Sequence, residues 1–474
     1  MTVGEDENKF KKESLQKISS IRVAVNNIED FLNQAKLRKL LRSITLFSGL
    51  MRKLRNQSVP PFDLISTVCT HTKRIEDELG ELESMIENRK TTLDTLLEQS
   101  NIGIETIQII WKARVNKKHI ILFLAPFYNQ TRLKDGYYRR IKAVDDILGD
   151  DCLKVYVTPT NYFLEEEFHE SFPDTAHIDL RFDFENPEHA KLLELIAIMS
   201  DLVYYHSVAF VNTITLSVDK LQILDLHGCV PEELAFLGYP EQAKLDGEKE
   251  NAALENVDYV VVVSQAMARH LQEKYPLANV KYILLPILDT QIAQIEQNQK
   301  PKPYKDGKPE VVYVGGLQKW QMIPRMQSLI NKTKHRYNYK ILVPSPKEFL
   351  NYWKESETSS FCVCSGDREV VKDLCEKAHY GLLLREDNIV NRVSSPTKLV
   401  EYLAYGVVPV LISTAIGDFS DLGMKHISLA DLESGNLPTE EERLRLVKEN
   451  YECLDKLVKQ YTAGKSDLLE ALSQ

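Results

Sequence analysis

Residues 380–410 read YGLLLREDNIVNRVSSPTKLVEYLAYGVVPV, which sets a hydrophobic strand, a polar loop and a proline-started helix one after another. Gly381 to Leu384 is a short apolar run of the kind that forms a buried strand, and Arg385 to Val393 reads as a loop. Ser395 is expected to cap the helix and Pro396 to open it, with the helix running to about Tyr405 and stopping at Gly406. Free backbone N–H groups at such a start, and the positive end of the helix dipole, favour an anion. Lys398 lies one turn in, Arg385 and Arg392 stand in the preceding segment, and a diphosphate suits that arrangement. Glu401, further along the helix, offers a carboxylate that can accept two hydroxyls of a ribose. The same spacing also fits a solvent-facing Lys398/Glu401 pair on an ordinary surface helix with a charged turn at Arg385, Glu386 and Asp387.

The run SSPTKLVEYLAYGVVPV, with GLLLREDN before it, resembles the donor-binding segment of the retaining glycosyltransferases of the large GT-B family 4, which move a sugar from a nucleotide diphosphate sugar to an acceptor. The resemblance extends from about Lys118 to the end of the chain. It implies that Ser395, Pro396, Thr397, Lys398 and Leu399 approach the donor phosphates and that Glu401 holds the nucleotide ribose. The family pattern has two glutamates separated by seven residues, and here position 393, where the first falls, is valine; Glu386 is the nearest preceding acid. The resemblance also implies retention at the anomeric carbon and no required metal or other cofactor.

Pro309 to Gln321, PEVVYVGGLQKWQ, gives a β-branched and aromatic strand followed by Gly315-Gly316, a pair that lets the backbone turn tightly and approach a ligand. It resembles the strand and turn that open the family's C-terminal domain. Gly316 stands where that pattern often has arginine, Lys319 supplies a nearby lysine, and Arg385 or Lys398 is expected to provide the remaining charge. A plain turn explains the glycine pair equally well.

On the acceptor side, KHIILFLAPF from Lys118 is a buried-strand pattern, and the loop and helix start after it hold Gly136, a position where the family's backbone runs beneath donor and acceptor. Leu202 to Tyr205 ends at His206, and Ile223 to Leu226 ends at His227-Gly228, so both histidines stand at strand ends, where α/β enzymes place ligand groups. LDLHGCVPEE resembles the family's strand and loop that present a histidine near the reacting sugar. This makes His227, with Glu401 and Lys398, the catalytic candidates, and leaves His206 and Glu232 as secondary acceptor-side candidates.

Strand-like runs alternating with helices, in ENVDYVVVVSQAMARHLQEKY, VKYILLP, YKILVPS, SSFCVCSG, YGLLLRE and VVPVLIS, argue for α/β architecture: two Rossmann-like, doubly wound domains facing a cleft. The expected division is 118–300 for the acceptor domain, 301–448 for the nucleotide-sugar domain and 449–474 for terminal helices packing back on the first domain, with a Gln-, Lys- and Pro-rich linker near Asp289 to Gly307.

The first 117 residues are expected to form a helical and coiled-coil extension, divided at 60/61. Heptad seams run through Ile65, Thr72, Leu79, Ile86 and Leu93, and through Val68, Ile75, Leu82, Arg89 and Leu96; apolar residues fill eight of these ten places, which predicts a homo-oligomer through 65–96 or a long helix packed on the other domains. Residues 31–56 hold seven Lys or Arg, no acid, and an apolar stripe from Leu37 to Leu54. Such a basic amphipathic helix suits an anionic membrane surface, or packing against a partner.

The 474 residues suffice for two domains and an appendage. No run is long and apolar enough to span a bilayer, and MTVGEDENKFKKES lacks a signal core, so the expected location is cytoplasmic, or peripheral at the inner face of the cell membrane. Seven scattered cysteines give no disulfide framework, and Cys362 and Cys364 alternate in a strand pattern that does not suit zinc. A formal charge of −10 and no stacking motif beside the basic helix argue against nucleic acid. The expected activity is sugar transfer from a nucleotide diphosphate sugar to a hydroxyl of a glycan or lipid-linked acceptor in cell-surface polysaccharide synthesis. The competing readings are a sugar-nucleotide-binding or phosphorylase-like enzyme, the latter needing a pyridoxal-phosphate lysine that no segment advertises, and a non-catalytic GT-B-like scaffold or sugar-nucleotide-binding protein organised by the coiled coil.

Overall fold

The computed structural model describes residues 104–129, 132–159, 170–183, 186–213, 220–289, 292, 302, 307–351, 353 and 361–473. The basic stretch 31–56 and the heptad stretch 65–96 lie outside the described residues. Two compact units are present. Among the described residues, the smaller holds the helices Ile104–Val115 and Pro187–Met199 with a short antiparallel hairpin, β3 (Glu170–Ser171) and β4 (His177–Phe182). The larger holds residues 121–152, 156–158 and everything described from 202 onward.

Two sheets carry the architecture. The first contains β1 (Ile120–Leu124), β2 (Leu153–Pro159), β5 (Leu202–Tyr205), β6 (Leu221–Leu226), β7 (Tyr259–Val262) and β8 (Lys281–Leu284), in the order β3-β4-β2-β1-β5-β6-β7-β8. From β1 through β8 the neighbours run parallel, with Phe123 opposite Tyr204, Tyr204 opposite Ile223, and Leu226 opposite Val262. The second contains β9 (Glu310–Val314), β10 (Asn338–Leu342), β11 (Cys362–Cys364), β12 (Tyr380–Leu383), β13 (Val408–Leu411) and β14 (Ile427–Ser428). Its order, β11-β10-β9-β12-β13-β14, is all parallel and reverses direction beside β9, so a switch point falls between β9 and β12. These are two doubly wound Rossmann-like sheets, the GT-B arrangement that the alternating pattern predicts.

The central strands are buried along their whole length, which is why they read as continuous apolar runs rather than alternating ones. Val311, Tyr313, Tyr380, Leu382, Val408 and Val410 pack with Met326, Leu329 and Ile330 on one side of the second sheet. Val312, Val314 and Leu342 pack with Cys375 and Tyr402 on the other.

One helix spans Glu440–Ser473 without a break, so position 448, where the sequence reading divides the nucleotide-sugar domain from terminal helices, lies inside it. It packs along β8 as well as against helix Thr397–Ala404. Gly464 makes the β8 contact possible: a Cβ there would collide with the Leu284 carbonyl oxygen. No helix among the described residues is long and apolar enough to cross a membrane.

Candidate functional site

The strand β12 is followed by a loop containing a short helix, Ile389–Arg392, and then by the helix Thr397–Ala404. The expected start is shifted by one residue. Pro396 is extended (φ −69°, ψ 118°) and stands as the cap position, with no side chain, Ser395 included, capping the first turn. A proline that precedes the helix leaves the first backbone N–H groups free of any side-chain acceptor. Gly406, at φ 64°, ends the segment as expected.

Lys398 is buried, which removes the solvent-facing reading of this helix. Its ammonium donates to Gln321 Oε1 at 2.8 Å and to the Tyr313 hydroxyl at 3.4 Å, and lies 4.5 Å above the Tyr313 ring. Arg385 is also buried; its Nη1 donates to Ser394 Oγ at 3.1 Å, and its Nε has no partner. Neither cation has a carboxylate ion-pair partner among the described residues. Burial and then the Arg385 charge hold the Lys398 pKa well below its ordinary value, with Glu401 opposing. Burial pushes Arg385 down to about 10. Two buried cations in one another's field, with carboxylates near them but none in ion-pair contact among the described residues, form a site that favours an added negative charge.

Glu401 is half-buried, and burial raises its pKa, opposed by Arg139, Lys398 and Arg368. Leu399 is a core residue whose N–H is bonded to the Pro396 carbonyl, so neither its side chain nor its amide is available to a ligand. Thr397 opens the helix. Gly315 (φ 153°) stands directly against Lys398. At Gly316 a Cβ would first meet the Gln318 side chain. Lys319 turns away from this group and donates to the Phe236 carbonyl at 3.0 Å. Glu386 is exposed and lines a separate cavity of about 350 Å³ with Met322, Arg325 and Ile412, beyond β13 and β14. Arg392 is paired with Asp387 at the surface.

On the first sheet, β5 and β6 are neighbours, and their ends bring His206 and His227 within hydrogen-bond reach, Nδ1 to Nε2 at 3.3 Å. Behind them Asp225 is fully buried and held by Arg140, with Nε 3.0 Å from Oδ2 and Nη2 3.1 Å from Oδ1. Burial opposes the Asp225 carboxylate, and the Arg140 guanidinium more than reverses this, holding its pKa at about 2. Burial pushes His206 down to about 3 and His227 down to about 4. The ligand atoms of His206, Asp225 and His227 lie within 4.8 Å of one another. Both carboxylate oxygens already face the Arg140 guanidinium, so a metal ion here would stand against a fixed positive charge. Gly136 opens the helix Gly136–Leu148, and the space where its Cβ would lie is empty to 4 Å.

Glu232 is occupied elsewhere: His270 donates to it at 2.9 Å and Lys274 at 2.6 Å, beside a cavity of about 560 Å³ among three helices of the first-sheet domain. Its neighbour Glu233 instead lies against Gly228 and in the field of Arg385. Loops after the two sheets meet directly. Ser264 Oγ donates to the Val393 carbonyl at 2.7 Å, and the Asp418 carboxylate accepts from the Gln265 and Ala266 amides at 2.6 and 2.9 Å.

The sequence reading does not single out Tyr313, Gln321, Asp225, Arg140 or Glu233. Asp225 was detectable as the single acid within an apolar strand, and Arg140 as a charge in register with Val144 and Ile147 on the buried helix face. Nothing local marks Gln321.

No family model matches the chain, and no curated protein matches it. Its fold is similar to that of several solved structures. Sucrose-phosphate synthase from Thermosynechococcus elongatus is 13% identical, with a TM-score of 0.52 over 74% of this chain and 98% of that one. An α,α-trehalose-phosphate synthase (UDP-forming) from Burkholderia vietnamiensis is 13% identical, with a TM-score of 0.51 over 75% and 99%. A structure described as trehalose-6-phosphate from E. coli bound with UDP-2-fluoro glucose is 12% identical, with a TM-score of 0.50 over 75% and 99%. At such identities the likeness establishes the fold: this chain shares the two-domain architecture of these sugar-transferring enzymes.

Proposed function

We propose that the chain is a glycosyltransferase that takes a glycosyl group from a nucleotide diphosphate sugar and delivers it to a hydroxyl. The observation that carries this reading is the pair Arg385 and Lys398, two buried cations with no carboxylate ion pair among the described residues, at the switch point of a Rossmann-like sheet. A diphosphate supplies the absent charge. As the bond between the anomeric carbon and the phosphate oxygen breaks, its electron pair stays on the diphosphate, and cations fixed beforehand stabilise that charge more in the transition state than in the ground state. The acceptor oxygen bonds to the anomeric carbon, and its proton passes to the departing phosphate oxygen. Glu401, on the same helix, holds the ribose; Gly315 and Gly316 border the phosphates; His227 approaches from the other domain.

The finer reading is retention, membership of GT-B family 4, no metal requirement, and a glycan or lipid-linked acceptor in cell-surface polysaccharide synthesis, such as capsule or O-antigen. The bound UDP-2-fluoro glucose of the E. coli structure supports uridine diphosphate sugars as the first donors to try. In this reading residues 65–96 make the chain an oligomer and residues 31–56 hold it to anionic lipid at the inner membrane face. Val393 and Gly316, in place of the family's glutamate and arginine, favour one alternative, a degenerate transferase that binds without turnover.

The deciding experiment is calorimetry with a panel of nucleoside diphosphates, followed by turnover with the matching sugars. Binding with release of nucleoside diphosphate supports transfer. Binding without release supports the scaffold, and absence of binding removes both.

A further inference from the structure

We infer that Arg140, Asp225 and His206 form a positioning relay that fixes His227 with its proton on Nδ1, so that His227 presents a hydrogen-bond donor, not a base, to its ligand. The inference about the tautomer rests on the cluster alone; the identity of the ligand rests on the glycosyltransferase reading.

Asp225 is the anchor. Arg140 binds both of its oxygens while Arg140 Nη1 donates to the Leu285 carbonyl at 3.0 Å, and the Tyr204 hydroxyl donates to Asp225 Oδ2 at 3.0 Å. The carboxylate therefore cannot swing. His206 Nδ1 lies 3.7 Å from Asp225 Oδ2, and His227 Nε2 lies 3.7 Å from Oδ1, so the acid faces both rings alike. Neither ring is charged near neutrality, because burial holds their pKa values at about 3 and 4. One proton must then lie between His206 Nδ1 and His227 Nε2 across the 3.3 Å contact.

The other nitrogen of His206 decides which atom carries it. His206 Nε2 is buried and has no partner, with the ring stacked on Phe123 and tilted against Tyr204 at centroid distances of 5.8 and 4.9 Å. If the shared proton belonged to His227 Nε2, the proton of His206 would sit on that orphaned Nε2. A buried N–H without an acceptor is the rarer and costlier fault, whereas a buried acceptor nitrogen left without a donor is tolerated more readily. The proton therefore resides on His206 Nδ1, which donates to His227 Nε2. His227 then carries its own proton on Nδ1, the nitrogen that meets no hydrogen-bond partner among the described residues. The groups around His227 complete the picture: Asp225, Arg140, His206 and the Tyr137 ring at 5.3 Å, none of which can take a proton from it at neutral pH.

A donor at this place suits an oxygen acceptor on the ligand, such as a sugar hydroxyl, and excludes His227 as the group that removes a proton from the acceptor alcohol. His206 is a positioning residue, since it acts only through His227.

The test is nitrogen NMR on the full chain with 15N-labelled histidine, the His227 signals being assigned by their loss in His227→Gln. The expected result is a directly bonded proton on His227 Nδ1 and none on Nε2 at pH 7. A proton on Nε2 overturns the proposal, and this reading needs no relay variant to fold. In His206→Phe the constraint is gone, and His227 should shift toward the Nε2-protonated form; an unchanged spectrum in a folded variant also overturns the relay. With the sugar donor identified by the panel, His206→Phe should lower kcat about tenfold while its KM for the donor stays within twofold. A KM rise with unchanged kcat would contradict the positioning role. Failure of the parent to bind any nucleoside diphosphate would remove the transfer reading while leaving the tautomer result standing.

Discussion

The ammonium of Lys398 occupies the space that a Cβ on residue 315 would take: a side chain there would collide with Nζ and approach Cε to 2.8 Å. Gly315 also holds φ 153°, a backbone conformation that side chains rarely adopt. The glycine after β9 and the lysine of the Thr397–Ala404 helix are thus one device, joined across β9 and β12. Gly315→Ala is expected to displace Lys398 and weaken nucleoside-diphosphate binding at least tenfold, about 1.4 kcal/mol, as measured by calorimetry. Binding within twofold of the parent would separate the two residues functionally.

Lys398→Met is expected to remove binding and raise thermal stability together. Burial and Arg385 disfavour the charged form in the folded chain, so the methionine relieves a strain that only a bound anion otherwise relieves. The sign follows from the depressed pKa: the penalty is present at pH 7, where the unfolded lysine is fully protonated, and fades as the pH rises toward the ordinary lysine value. Calorimetric melting of parent and variant at pH 7, with and without nucleoside diphosphate, checks both halves. A lower melting temperature in the variant would show that the bonds to Gln321 and Tyr313 outweigh the cost of the buried charge.

Glu232, held by His270 and Lys274, is expected to act on stability. Burial would raise its pKa, but His270 and Lys274 bring it to about 2. A depressed carboxylate contributes stability above pH 4.5 that is lost as the pH falls toward 2. Allowing for solvent screening of this partly exposed group, the contribution is about 1–2 kcal/mol. Glu232→Gln should therefore destabilise the chain at pH 7, match the parent near pH 2, and leave nucleoside-diphosphate affinity within twofold. Denaturant titrations across that range test the first two points, and calorimetry the third.

The alternation of apolar runs with helical segments made both sheets legible, because parallel strands covered on two faces leave an uninterrupted hydrophobic signature. The strand-end positions of the two histidines and the helix that follows the polar loop were legible too, since strand ends and helix starts carry local signals. What escaped notice depends on distance in sequence. Gln321 reaches Lys398 across 77 positions and Arg140 reaches Asp225 across 85, and no local spacing encodes such pairs. Glu232 and Glu233 look alike in the sequence; only the placement of His270 and Lys274 ties up the first and leaves the second toward Arg385. The one-residue shift at Pro396 is of the same kind, since Ser395 has the chemistry of a cap and tertiary placement denies it the role.

Lys302 is expected to clamp two helix ends. Its ammonium donates to the Ala378 and Tyr405 carbonyls at 2.8 Å each, with those of Cys375 and Gly406 at 3.3 and 3.4 Å sharing its remaining donor capacity, at the carboxyl ends of helices Arg368–Lys377 and Thr397–Ala404. A cation there meets the negative ends of both dipoles. Lys302→Met should speed hydrogen exchange in the last turns of both helices and lower stability by about 1–2 kcal/mol. Unchanged exchange would assign those carbonyls to other partners.

Asp418 supplies, from the second-sheet domain, the acceptors that complete the capping of a helix of the first-sheet domain. Ser264 is the N-cap of Gln265–Lys274 and its hydroxyl accepts from Met267 N, yet the Gln265 and Ala266 amides would stay unpaired without the Asp418 carboxylate. A buried acid at a helix start gains from both hydrogen bonds and from the dipole. Ser264 adds its donation to the Val393 carbonyl, and Gly417 packs so closely on Ser394 that a Cβ would strike its carbonyl oxygen. Asp418 thus fixes the loop whose Ser394 hydroxyl accepts from Arg385. Asp418→Ala should cost about 2 kcal/mol, expose the Gln265 and Ala266 amides to rapid hydrogen exchange, and weaken nucleoside-diphosphate binding through the loosened Arg385. Asp418→Asn, which keeps one acceptor oxygen, should fall between parent and alanine variant in all three measurements. Slow exchange at Gln265 and Ala266 in a folded alanine variant would show that the amides find acceptors elsewhere, and the latch would not exist.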